Sequence, residues 1–275
     1  MADTITRCRP LLGTFVEVTA DCVQAIDAAF DAIARVHSLM SAHDSASDVS
    51  RINRKAHCEA VAVDPWTALV LERAIHWAKA SGGIFDVVAA GKSALERGLI
   101  PMHDGQPVPE AGHWTWLELN GSMVRLFKPG CVDLGGIAKG FAADRAILAL
   151  KCAGASFGLV NAGGDLAGFG PRPWPIQVID PFSRRAIANL NLCNGALATS
   201  AILPGGSADH LPKRRAELIS ATVRAPAAID ADALTKIVLA DSVAAIPCLK
   251  GVSARAFVRS ANGAIRPIEP ERLAA

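Results

Sequence analysis

Val132-Asp133-Leu134-Gly135-Gly136-Ile137-Ala138-Lys139-Gly140-Phe141-Ala142-Ala143-Asp144 decides how the chain reads, because it brings an acid, paired glycines and a lysine to the mouth of a helical pattern. Gly135 and Gly136 lack a Cβ and are free to take positive φ, so backbone N–H groups there can approach an anion closely. Lys139 adds a compact positive charge where the free N–H groups and dipole of a starting helix already favour negative charge. Phe141, Ala142, Ile147 and Leu148 supply that helix's pattern. These features outline a phosphate site, beside which Asp133 suits accepting a ligand N–H or holding a cation that the phosphates share. The plainer alternative is a strand-to-helix turn with a solvated lysine.

Upstream, Trp114 to Leu119 and Met123 to Phe127 read as strands joined by Asn120-Gly121, a strong hairpin signal, so the decisive stretch leaves a sheet. Residues 97–112 read as a surface excursion anchored by Ile100 and Met102. Asp64-Pro65 starts a helix as N-cap and first residue, with Trp66, Leu69, Val70 and Trp77 along one side and Gly82-Gly83 ending it. Ile84-Phe85-Asp86-Val87-Val88 follows, where Asp86 reads as a turn or cap carboxylate. Residues 41–48 are polar and expose His43, and Ser47 or Asp48 caps a short helix over Val49 to Asn53. Residues 22–40 carry an apolar stripe at helical spacing, with His37 on the helix face. Phe15 to Thr19 alternate as a strand with Gly13 at its start.

Downstream, Ser156 to Asn161 form a strand closed by Ala162-Gly163-Gly164-Asp165, and Trp174 to Ile179 form another. Ala188 to Leu192 and Ala196 to Ala198 are expected to pair across Asn194-Gly195, and Ala221 to Arg224 add a strand. Asp230 to Ala240 then start a helix with an acid at its cap and Asp232 in its first turn. Asp232 and Thr235 share a face, and Lys236 sits one turn above Asp232. Oxygen side chains at a helix start suit Mg²⁺, although capping and an Asp–Lys pair explain the pattern as well. The sum is an α+β fold of mixed, largely antiparallel sheets with flanking helices, as one domain over 1–275 or two intertwined lobes. No Gly-Gly site fits G-x-G-x-x-G, which counts against a nicotinamide-dinucleotide domain.

A chain that is 51% hydrophobic and 20% charged is globular rather than disordered. With a formal charge of +2 and Lys213-Arg214-Arg215 as its densest basic cluster, it lacks a nucleic-acid footprint. Seven scattered cysteines with no C-x-x-C pair read as reduced thiols. No apolar leader and no run of about 18 apolar residues is present, so no membrane span and a cytoplasmic location are expected.

Several of these signals fall in one order: Leu12-Gly13-Thr14, the loop from Ser41 to Asn53, Gly82-Gly83-Ile84-Phe85-Asp86, Asp133 to Gly140, Asn161 to Asp165, Ala198-Thr199-Ser200 and Ala231-Asp232-Ala233-Leu234. That order resembles the ApbE-type family of FAD:protein FMN transferases, from about Leu11 to Ala240. The resemblance implies a central ligand cleft holding FAD with Mg²⁺ on its diphosphate, and transfer of FMN to a threonine hydroxyl of an acceptor flavoprotein with release of AMP. It implies that Asp133 and Lys139 contact FAD, and that Leu12, His43, Ile84, Phe85 and Asp86 line the flavin and adenine parts of the pocket. The Gly136 carbonyl, Asp232 and Thr235 would serve the metal, with Asp232 also in the catalytic set and His210 as base for the acceptor hydroxyl.

Three departures from the family pattern stand beside it. His43 replaces a residue that is usually aromatic, and the chain has no tyrosine, which predicts weaker flavin stacking. The family's threonine four residues after the metal-binding aspartate is here Lys236, with Thr235 one position early. The H-x-x-D-P segment is compressed to Asp209-His210-Leu211-Pro212. The last two motivate another reading, an FAD-binding protein without transfer activity; a third is hydrolysis of FAD to FMN and AMP without an acceptor.

Overall fold

The computed structural model describes residues 4–96, 98, 100–102, 104, 106, 112–202 and 217–268. It opens with an antiparallel hairpin of β1 (Ile5–Leu11) and β2 (Thr14–Ala20). Leu12 and Gly13 connect them at φ of 56° and 71°, a left-handed pair that matches strand twist in a two-residue hairpin. Gly13 takes this freely. Leu12 bears strain, and its N–H is fixed by His37 Nδ1 at 3.0 Å. The strand expected from Phe15 is thus the second arm of a hairpin whose first arm, carrying Arg7 and Arg9, shows no apolar alternation.

Next come α1 (Val23–Met40), which buries the expected stripe, and α2 (Asp48–Lys55). Ser47 caps α2, its Oγ accepting from the Ser50 N–H at 3.1 Å. After β3 (Val61–Ala62), α3 (Pro65–Ala80) begins at the Asp64 cap as expected. Its core face runs through Thr67, Val70, Leu71, Ala74 and Trp77, whereas Leu69 is 45% exposed, so it does not belong to the predicted stripe. Asp86 caps α4 (Val87–Glu96), accepting from the N–H groups of Val88 and Ala89. Of the two predicted anchors after it, Ile100 is buried but Met102 is 51% exposed.

Trp114–Trp116 is a short 3-10 turn, and only then do β4 (Leu117–Asn120) and β5 (Met123–Leu126) pair. Because Asn120 pairs with Met123, the turn residues are Gly121 and Ser122, one step on from the expected pair. There follow α5 (Ala138–Cys152), β6 (Gly158–Ala162), β7 (Asp165–Phe169), β8 (Trp174–Ile179), β9 (Ala186–Leu192), β10 (Gly195–Ala201), β11 (Leu218–Ala225), α6 (Ala228–Ala240), α7 (Ala245–Gly251), β12 (Arg255–Ser260) and β13 (Ile265–Ile268).

Eight strands form the main sheet in the order β1-β2-β6-β7-β10-β11-β12-β13, every neighbouring pair antiparallel. The expected pairing of β9 with β10 does not occur. β9 pairs with β8 in a separate two-stranded sheet, and β10 lies between β7 and β11. The physical reason is that the small sheet lies over one face of the large sheet instead of extending it. Ile176, Val178 and Leu192 of the small sheet pack with Leu159, Leu166 and Leu197 on one face of the large sheet. Alternate residues such as Ala167, Phe169, Ala196 and Ala198 turn to the other face, where α1, α5 and α6 lie. A third sheet, β3-β5-β4, is separate in its hydrogen bonding but shares the main core through Val61, Leu117, Val124 and Leu126. No described helix is long and apolar enough to cross a membrane.

Candidate active site

The site follows from how α5 and α6 pack. A Cβ on Gly140 would overlap the Ala228 carbonyl and come within 2.9 Å of Asp232 Cβ, so glycine there lets the two helix starts touch. Asp144 of α5 seals the contact by accepting from the N–H groups of Ala228 and Ile229, at 2.8 and 2.9 Å. The carboxylate serving the start of α6 therefore comes from another helix. This corrects the expected start at Asp230: the helix begins at Ala228, Asp230 stands in its first turn, and Asp232 lies beyond that turn.

Every residue of α6 from Asp230 to Ala240 is buried, so each polar side chain on it must find a partner. Asp230 takes a two-pronged pair from Arg73 at 2.5 and 2.6 Å and a bond from Trp77 Nε1 at 3.0 Å, tying α3 to α6. Asp232, at 0% exposure, meets three donors. Lys236 Nζ bonds its Oδ1, the Gly140 N–H donates to Oδ2 at 3.1 Å, and Lys139 Nζ stands 3.9 Å from Oδ2. Lys139 Nζ is also 3.3 Å from Asp165 Oδ2 and donates to the Gly135 carbonyl at 3.3 Å. Thr235 donates its hydroxyl to the Asp232 carbonyl at 2.7 Å and shares a hydrogen bond with Ser200 Oγ at 2.7 Å.

The result is two ammonium groups and two carboxylates in one buried cluster. Asp232 above all, then Asp165 and Asp133, holds Lys139 protonated beyond the ordinary lysine range against the cost of burial. Burial opposes the charge on Asp232, but Lys139 and Lys236 outweigh it and hold that carboxyl below the usual range. For Asp165 the balance reverses: burial, and then Asp232, push it up to about 6 against both lysines. Lys139 has 28% of its side chain exposed and Lys236 only 8%. An anion arriving from solvent therefore meets Lys139 first.

The approach to Lys139 is held from three sides. Asn53 of α2 clamps Val132 through both backbone groups, at 2.7 and 3.1 Å. The Asp133 N–H bonds the Val87 carbonyl at 3.0 Å, joining the start of α4 to the same strip. Gly91 faces the Cys131 carbonyl so closely that a Cβ would overlap it. Asp133 Oδ1 then accepts from the Gly135 N–H at 2.8 Å, shaping the turn. Among the described residues the positive-φ glycines do not include Gly135 or Gly136; near the cluster a left-handed pair instead stands at Gly163 and Gly164, at 68° and 100°, just before Asp165.

The other expected residues divide. Ile84 is half-buried and Phe85 buried beside Asp86, whose oxygens serve the α4 cap and the Trp114 N–H. Leu12 occupies its strained turn, and Thr14 of the same hairpin lies against Gly163. His43 is exposed and Gly136 buried. His210, like Lys213-Arg214-Arg215, lies outside the described residues.

The donors do not fit Mg²⁺. That ion takes near-octahedral oxygen ligands and is usually held by one or two carboxylates together with substrate phosphates and water. Here Asp232 has both oxygens engaged, the Thr235 hydroxyl is committed to the Asp232 carbonyl and Ser200, and Lys236 presents a charge with no lone pair. Among the described residues, no three His, Cys, Asp or Glu side chains group to hold a metal.

The sequence model of the ApbE family matches residues 12–250. The chain belongs to the ApbE family. An FAD:protein FMN transferase of Rhodobacter capsulatus is 33% identical over 157 residues, which is 50% of this chain and 29% of that protein. One from Treponema pallidum is 27% identical over 188 residues, 60% and 51% of the two chains. The chain therefore matches about half or less of the length of these curated relatives. The ApbE protein of Thermotoga maritima superposes with a TM-score of 0.83 at 25% identity, over 96% of this chain and 97% of that one. The flavin transferase ApbE of Vibrio cholerae gives 0.80 at 20% identity over 98% of both, a likeness of fold.

In this ApbE-family chain the sequence reading left Asp165, Ser200 and Gly140 without a role. Asp165 and Ser200 stood inside quoted motifs, and their signal was position: Asp165 follows a two-glycine turn, and Ser200 continues the small-residue alternation of β10 toward α6. Gly140 closed the Asp133 to Gly140 segment, but as a glycine inside a helix it gave no sign that another helix packs against it.

Proposed function

We propose that this chain is an FAD:protein FMN transferase, moving FMN from FAD to a threonine hydroxyl of an acceptor flavoprotein and releasing AMP. The carrying observation is the meeting of Lys139, at the start of α5, with Asp165, Asp232 and Lys236 in one buried cluster. In this reading the FAD diphosphate lies over Lys139 and the first turn of α5, beside Asp133. Leu12, His43, Ile84, Phe85 and Asp86 border the rings. The acceptor oxygen forms a bond to the FMN phosphorus, the bond from that phosphorus to the bridging oxygen breaks, and AMP leaves with the bridging oxygen and its electron pair. The hydroxyl proton passes to a base, a role assigned to His210 by its motif. Charge grows on the equatorial and departing oxygens, so fixed cations aimed at them supply much of the rate. No step runs through Mg²⁺, because the donors do not fit it.

All seven thiols are unpaired, which supports placing the protein in the reducing cytoplasm. The test is to mix the chain with FAD and a threonine-bearing acceptor domain, then measure acceptor mass and AMP. Both should rise together. AMP without an adduct supports hydrolysis instead, and bound FAD with neither product supports a binding module.

A further inference from the structure

A buried carboxylate with two ammonium groups and a backbone N–H around it is already compensated. Lys236 reaches Asp232 from one turn along α6, and Lys139 approaches from α5 on the other oxygen. With Asp165 added, each ammonium has a carboxylate partner in the cluster, and Asp133 also acts on Lys139. A divalent ion inserted there would have to displace one ammonium from Asp232 and lie against the other. At contact distances in a poorly solvated site such repulsion is strong. The hydroxyl that shares a helix face with Asp232 is likewise committed, since Thr235 is tied to the Asp232 carbonyl and to Ser200.

We propose that Lys236 is the resident cation of the diphosphate site, one fixed charge in place of a divalent metal, so that this chain binds FAD without Mg²⁺. The proposal rests on the FMN-transferase reading above. Lys236 acts as a positioning residue: it holds Asp232, and through Asp232 the Gly140 N–H and Lys139, in the arrangement that meets the diphosphate. A side-chain ammonium is tethered to the backbone and cannot be stripped out as a bound ion can, so the site is indifferent to chelators.

The experiment uses the full chain, FAD titrated by quenching of flavin fluorescence, with either EDTA or millimolar Mg²⁺. Mn²⁺ binding is followed separately by electron paramagnetic resonance, with thermal melts confirming that each variant is folded. The wild type should give the same FAD affinity within twofold in both buffers and hold no Mn²⁺. Lys236→Thr removes the ammonium and adds an oxygen; it should lose tenfold or more in EDTA, recover with Mg²⁺ and gain a Mn²⁺ site. Lys236→Met adds no oxygen and should lose affinity in both buffers. A tenfold or greater loss of wild-type affinity in EDTA, or a Mn²⁺ site in the wild type, overturns the proposal. If the wild type binds no FAD in either buffer, the FMN-transferase reading fails and this proposal with it.

Discussion

Asp232→Asn keeps the shape of the side chain and removes its charge, which makes it the sharpest probe of the cluster. From sequence alone Asp232 is a first-turn acid whose loss costs about 1 kcal/mol, the scale of a helix cap. The structure sets a larger cost. Asp232 is fully buried, bonded to Lys236 and the Gly140 N–H and close to Lys139, so the variant leaves two ammonium groups with Asp165 as their remaining carboxylate. Breaking a buried pair from one side costs about 3–5 kcal/mol, because the partner charge stays behind unpaired. Urea unfolding followed by tryptophan fluorescence measures this directly. The double variant Asp232→Leu with Lys236→Met should recover much of the loss, since apolar replacement of a whole buried pair is often near neutral. A loss of about 1 kcal/mol or less in Asp232→Asn would refute the coupled cluster and return the residue to a capping role.

Gly140→Ala should lower stability by at least about 1–3 kcal/mol, the usual cost of overpacking, by prising α5 from the Ala228 carbonyl; calorimetry with an unchanged melting point would contradict that contact. Lys139→Gln should weaken FAD binding roughly 10- to 100-fold, the worth of one charge-assisted bond of about 1.5–3 kcal/mol, and equal fluorescence titrations would remove it from the diphosphate site. Asp165 is raised in the folded protein from 3.8 to about 6, so the native state binds its proton more tightly. Its contribution to stability is full below about pH 4 and lost as pH rises through 6. The stability difference between wild type and Asp165→Asn should therefore fall across that interval, and a flat difference in unfolding titrations would refute the shift.

Much of the fold was legible because local signals agreed with it. The stripe of α1, the Asp64-Pro65 start of α3 and the strand Trp174 to Ile179 all satisfy a local rule that the tertiary structure left intact. Where reading failed, distant packing decided. β1 has polar residues along an edge, β9 leaves β10 to pair with β8 in a small sheet laid on one face of the large one, and Leu69 is apolar yet exposed. At the site, Lys139 and Asp232 were readable as candidates because charge at a helix start is a local pattern. Their meeting was not, for it depends on Gly140 and on Asp144 reaching across to the first N–H groups of α6. Lys236 was read as a departure from a metal motif; in the fold it is buried against Asp232.

The account rests on the cluster around Lys139 gripping the diphosphate of FAD so that FMN can be passed to a protein. Mass spectrometry of a threonine-bearing acceptor domain, after incubation with the purified chain and FAD, tests that most directly. The account predicts an acceptor heavier by one FMN moiety, matched by AMP, and both products reduced at limiting FAD with Lys139→Gln. An acceptor of unchanged mass in the presence of bound FAD would contradict it.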